Sequence, residues 1–79
     1  MIHLEIISPE KQLFAGEIRI VQLPGTLGSF EIMENHAPII STLNKGKIKV
    51  EETNGVVTYF EIESGLIEAS NNEIRVLVE

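Results

Sequence analysis

The chain has no cysteine, no tryptophan and one tyrosine in 79 residues. No disulfide can staple it, and thiolate zinc centres and thiol nucleophiles are excluded. The missing cysteine fits a reducing compartment. Cations are scarce as well: six Lys and Arg stand against twelve acidic residues, for a net charge of −6. Six dispersed cations make a poor phosphate-binding patch and a poor lipid-surface anchor, so neither nucleic acid nor direct lipid insertion is expected. No apolar run approaches the roughly 20 residues of a membrane span. The start, MIHLEIISPE, lacks the basic-then-apolar order of a signal peptide, so the expected location faces the cytosol.

What is present is a period of two. Ile2, Leu4 and Ile6 alternate with His3 and Glu5, and Ile18 and Ile20 with Glu17 and Arg19. Ile48 and Val50 alternate with lysines, and Ile74, Val76 and Val78 with Glu73, Arg75 and Leu77. Such runs of β-branched residues read as half-buried antiparallel strands. No window sustains a helical stripe. Length allows one domain, and about 60% burial at this size leaves a thin margin of stability. Turn signals punctuate the strands: Asn54-Gly55 as a type I′ hairpin turn, Asn71-Asn72 as a less ideal one, Pro24-Gly25 and Asn44-Lys45-Gly46 as breaks, and Pro9 after the first strand. Their spacing predicts a small sandwich or barrel of eight to ten strands. Alternation places Ile6, Phe14, Ile18, Ile20, Ile32, Leu43, Ile48, Val50, Phe60, Ile62, Ile74 and Val76 inside. The stretches 13–17 and 38–40 break the pattern and mark expected bulges or sheet changes.

Catalytic chemistry is poorly served. Two histidines, His3 and His36, and scattered serines give no triad and no nucleophile elbow, so no catalytic residues are assigned. Glu31, Glu34 and His36 lie close in sequence but fall short of a zinc set, so no metal site and no cofactor are expected. The segment Glu34–Pro38 reads better as a corner. Pro38 keeps Ala37 extended, Asn35 tolerates a left-handed conformation, and His36 can donate to a backbone carbonyl. Gly25 and Gly28 bracket a loop that reads as a projecting hairpin, with Ser29 and Glu31 on one strand face.

Taken in order, LEIISPEKQLFAGEI, VQLPGTLGSFEIMENHAPIISTLNKGKIKV and YFEIESGLIEASNNEIRVLVE resemble the N-terminal domain of the epsilon subunit of bacterial F-type ATP synthase, over essentially the whole chain. No single piece carries the resemblance; the glycine-bounded loop, the His-Ala-Pro and the closing Gly-x-x-Glu with Val-Leu do so together. It implies an all-β fold: a flattened sandwich of about ten short strands in two five-stranded sheets. The C-terminal helical domain usual in the family is not expected within these 79 residues, a departure from the family's pattern. The resemblance also implies a non-catalytic central-stalk subunit on the cytoplasmic face of the bacterial inner membrane. Such a subunit binds gamma and the polar loops of the c-ring, and couples proton- or sodium-driven rotation to ATP synthesis. Gly28, Ser29, Phe30, Glu31, Glu34, Asn35 and His36 are the expected ring-facing loop. Ser8, Ile40, Val57, Leu66 and Leu77 are the gamma-facing candidates.

The sequence departs from the family at several places. Ser29 stands where an acidic residue is usual, Glu31 where glycine is common, Glu34-Asn35 where Pro-Gly is common, and Ser64-Gly65 where two glycines are common. Glu31 is therefore expected to supply the charge that meets basic ring loops. No nucleotide binding is expected of this chain. The rival readings are a β-sandwich interaction module outside a rotary ATPase, and a small metal-dependent enzyme on Glu31, Glu34 and His36.

Overall fold

The computed structural model describes all of residues 1–79. It contains eight strands and no helix: β1 Ile2–Ile7, β2 Gln12–Gly25, β3 Gly28–Ile32, β4 Ile39–Leu43, β5 Gly46–Glu52, β6 Val57–Ile62, β7 Gly65–Ser70 and β8 Glu73–Val78. The first half of β2 pairs with β1, which runs parallel to β8; β8 pairs with β7, and β7 with β4. The second half of β2 lies between β3 and β5, and β5 pairs with β6. Two layers result. One is ordered β4-β7-β8-β1-β2 and the other β3-β2-β5-β6, with β2 passing through both. A bridge from Gly25 to Leu43 joins the layers at one edge. The thinnest dimension of the molecule is 18 Å, which suits two sheets about 10 Å apart with their outer side chains.

The all-β sandwich is as expected; the eight strands fall within the eight to ten read from the turn signals and short of the ten that the resemblance implies. One continuous strand of 14 residues serves both layers, passing from β1 to β5 at Ile18, next to the stretch 13–17 where a bulge or sheet change was expected. Pro24-Gly25 does not end β2. The hairpin turns at Thr26-Leu27 instead, between the partners Gly25 and Gly28. Pro24 is tolerated because it lies beyond Gln22, the last β2 residue paired with β5, and its carbonyl oxygen still accepts from Asn44 N at 2.8 Å.

Sixteen buried aliphatic side chains form one core, with no polar side chain among them. Of the expected inward residues, Phe14 and Phe60 are only half-buried and meet edge to face, ring centroids 6.0 Å apart. Ile20 is a correction. The pairing with β5 shifts between Ile18 and Ile20, so the extra residue turns the alternation over. Ile18, Val21 and Leu23 then point in, and Ile20 lies half-buried outside. The bulge thus sits just after the stretch 13–17 where it was expected. At 38–40 there is none: Ile39 packs toward the core and Ile40 faces out, as in an ordinary strand.

The two hairpin turns exchange roles. Asn71 and Asn72 both take positive φ, 51° and 60°, which makes theirs the two-residue type I′ turn. At Asn54-Gly55 only Gly55 is left-handed, with φ 90°. There Gly55 N donates to Glu52 O at 2.9 Å, and Glu52 N donates to Val56 O at 2.9 Å. This is a turn closed by a glycine bulge, not a type I′ turn.

Candidate partner-binding surfaces

With the core wholly aliphatic, chemistry and recognition are left to the two outer faces and the strand edges. Side chains of paired residues share a face, so the pairings trace what each surface carries. On the outer face of the five-stranded layer, Thr42, Leu66, Leu77 and Ile7 form one row across β4, β7, β8 and β1. The next row is Ile40, Glu68, Arg75 and Glu5. Leu66 (41% exposed), Leu77 (46%) and Ile40 (71%) therefore form one apolar strip in solvent, although the core beneath them is complete. The strip is bordered by charge. Arg75 Nε lies 3.7 Å from Glu5 Oε1, while His3 has Glu17 and Glu73 as its strand neighbours.

The outer face of the second layer differs. Glu31, Gln22, Lys49 and Tyr59 form a row across β3, β2, β5 and β6. Beside it Arg19 Nε donates to Glu51 Oε2 at 2.6 Å, and Val57 pairs with Glu51. Apolar and charged groups are interleaved here and no strip forms.

The five gamma-facing candidates thus divide. Ile40, Leu66 and Leu77 share one surface. Val57 lies on the opposite outer face, on the edge strand β6. Ser8 is half-buried and its hydroxyl serves its own turn, donating to Lys11 O at 3.0 Å and accepting from Lys11 N at 3.2 Å.

The expected ring-facing loop also divides, because most of it is strand. β3 carries Gly28–Ile32, and four residue steps along a strand separate its ends by about 13 Å. Ser29 and Glu31 are exposed on the outward face, as alternation requires. Phe30 points the other way. Its ring packs over Gly25, where a Cβ would lie 2.7 Å from the ring and 2.7 Å from the Gly28 carbonyl oxygen. Gly28 lies at the hairpin tip beside Leu27, which is fully exposed and which the sequence reading did not single out. Thr26 ties the tip to β4: its N–H donates to Thr42 O at 3.2 Å, and the two hydroxyl oxygens are 3.0 Å apart.

Glu34, Asn35 and His36 lie at the far end of β3. His36 N donates to Met33 O at 3.2 Å, and Asn35 has φ 65°, so residues 33–36 form a tight turn with a left-handed third position. The His36 ring uses Nδ1 on the Ala37 carbonyl oxygen at 2.7 Å, the bond anticipated for the corner. Glu34 pairs with the Met1 ammonium. Glu31 faces Gln22 across the sheet, so the three residues of the metal reading have separate surroundings. No group of three or more His, Asp or Glu is placed to hold a metal ion. The corner's partner in the rest of the fold is Asn72, whose Oδ1 accepts from Asn35 N at 2.7 Å and whose Nδ2 donates to Asn35 Oδ1 at 3.3 Å.

Against known proteins, residues 1–79 match the family described as the β-sandwich domain of the ATP synthase delta/epsilon chain. The ATP synthase epsilon chain of Caulobacter vibrioides is 37% identical over 79 residues, an overlap of 99% of this chain and 90% of that one. That of Chlorobium limicola is 38% identical over 76 residues, covering 96% and 86%. Other relatives are longer: the chain spans 56% of the Syntrophomonas wolfei epsilon chain, at 38% identity. Among solved structures, a chain of the Euglena gracilis mitochondrial ATP synthase (OSCP, F1 and c-ring) superposes with a TM-score of 0.91 at 15% identity, over 98% of this chain and 49% of that one. A chain of the Tetrahymena thermophila central stalk and c-ring gives 0.81 at 16%, over 98% and 62%. At such identities these two speak for the fold alone.

Proposed function

The chain belongs to the family of the ATP synthase delta/epsilon β-sandwich domain, and on that footing we propose that it is a rotor subunit of an F-type ATP synthase, seated between gamma and the c-ring at the cytoplasmic face of a bacterial membrane. It makes and breaks no bonds. Its work is mechanical: it helps transmit ion-driven rotation of the ring to the shaft that drives ATP synthesis, whether the ion is proton or sodium. The observation that carries this reading is the match along the whole chain to relatives that are themselves named ATP synthase epsilon chains.

The surfaces divide the labour. The strip of Ile40, Leu66 and Leu77 is the gamma-facing side, because exposed aliphatic side chains in adjoining rows of one face offer area that a partner can bury. A partner that also meets Glu5, Glu68 and Glu73 on that face gains from carrying basic groups. The free edge of β3, from Ser29 through Glu31 to the corner at Glu34–His36, faces the ring. A two-layer antiparallel sandwich suits the task because its cross-strand bonds and close-packed core resist shear. The test is affinity purification of the tagged full chain from native membranes in mild detergent, followed by identification of its companions. Gamma and the c subunit are expected with it; recovery of the chain without gamma would reject the proposal.

A further inference from the structure

The connection between β3 and β4 crosses from one layer to the other, and Asn72 is placed to hold it. The backbone of Asn72 is fixed first: its carbonyl oxygen accepts from His3 N at 2.9 Å, which ties the β7–β8 turn to β1. Its side chain then reaches Asn35 with both polar atoms, accepting from the backbone N–H at 2.7 Å and donating to the side-chain oxygen at 3.3 Å. Both asparagines are left-handed, with φ 65° and 60°. Glycine adopts that conformation at lower cost, but glycine offers no amide to exchange. The other ties of the corner are weaker. The His36 bonds to Ala37 and Met33 are local and cannot fix the corner to the sandwich. The Met1–Glu34 pair is more than half exposed at both ends, a setting in which ion pairs hold little.

We propose that Asn72 is a positioning residue that latches the corner at Met33–Pro38 to the β7–β8 turn, and so sets Glu34 and His36 for docking on the ring. The docking half of this statement rests on the ring-facing reading above. The latch itself is a property of the isolated chain. A preset corner loses less freedom on docking than a swinging one, which is how a residue with no partner contact of its own affects assembly.

Two variants separate the side chain from the turn. Asn72→Gly keeps the positive φ and removes both bonds; Asn72→Asp keeps the acceptor for Asn35 N–H, loses the donor and adds a negative charge. Amide exchange followed by NMR on the isolated chain should show the Asn35 amide exchanging roughly tenfold faster in Asn72→Gly, the scale of one net hydrogen bond, with Ile67 and Val76 unchanged. Asn72→Asp should restore most of the protection. In membranes, Asn72→Gly should lower ATP-driven ion pumping relative to hydrolysis, and Asn72→Asp should recover it. Equal Asn35 exchange in parent and Asn72→Gly overturns the latch, as does uniform acceleration of the core amides. Faster Asn35 exchange with an unchanged pumping-to-hydrolysis ratio overturns the positioning role. Failure of the docking reading is seen separately: a short cross-linker attached at His36→Cys in the otherwise unmodified chain would then capture no c subunit in the assembled synthase.

Discussion

Leu66 and Ile67 are neighbours on β7, nearly equal in volume and opposite in surroundings. Ile67 is wholly buried in the sandwich, while Leu66 lies beside Leu77 in solvent. The inner face of the β4-β7-β8 sheet is aliphatic because folding requires it: a domain of this size must bury nearly every large apolar group it can. The outer face has no such requirement. Apolar side chains in one row there cost solubility without adding to the core, and on the other layer the outer face avoids such a row by interleaving Lys49, Glu51 and Arg19 with Tyr59 and Val57. The difference locates stability on one side of β7 and leaves the other side free for the gamma contact proposed above.

That division can be broken in order of effect. Ile67→Ala should cost about 2–5 kcal/mol by opening a cavity in the single core, a large part of the stability of a domain this small. Urea denaturation should show it as a lowered midpoint. Gly25→Ala forces a methyl against the Phe30 ring and the Gly28 carbonyl oxygen. It should cost about 1–3 kcal/mol, read in the same experiment. Leu66→Ser combined with Leu77→Ser should change the unfolding free energy by about 1 kcal/mol or less, yet weaken gamma binding tenfold or more, as loss of a buried apolar anchor does. Binding measured by titration with purified gamma checks this; unaltered affinity would return the strip to being inert surface. Glu31→Ala should have the smallest effect, a few-fold loss of stalk-to-ring assembly that shrinks as salt rises, because exposed charges are screened within about 10 Å at 0.1 M. A loss that does not respond to salt would show that Glu31 acts by packing, not charge.

The same strand explains what could be read from sequence. Alternation along β1, β5 and β8 is uninterrupted, so its faces are legible, and Val57, Leu66 and Leu77 stand outside where alternation leaves them. The core is larger than the inward residues singled out from sequence: Ile2, Leu4, Val21, Leu23, Ile67, Ala69 and Val78 belong to it too. Val21 and Leu23 were hidden by the bulge at Ile18–Ile20, which reverses the faces of β2 without any glycine to announce it. The turn at Asn54-Gly55 carries the strongest type I′ signal in the chain and forms a different turn. The register of β5 and β6 sets its loop length, and Gly55 alone supplies the left-handed residue. The bond between Asn35 and Asn72 spans 37 residues, beyond any local pattern. The ring-facing set spans two places: Ser29 and Glu31 alternate on the edge strand β3, as their spacing indicates, while Glu34–His36 lie past its far end.

The absence of cysteine permits a direct test of which surface is used. Single substitutions Leu66→Cys and Leu77→Cys, with Thr53→Cys in the exposed β5–β6 turn as a control, can be treated with a maleimide in the isolated chain and in the assembled synthase. All three should react in the isolated chain. On assembly, the first two should become protected while the control stays reactive. Equal labelling of Leu66→Cys before and after assembly would contradict the account, since the shaft would then be held by some other face.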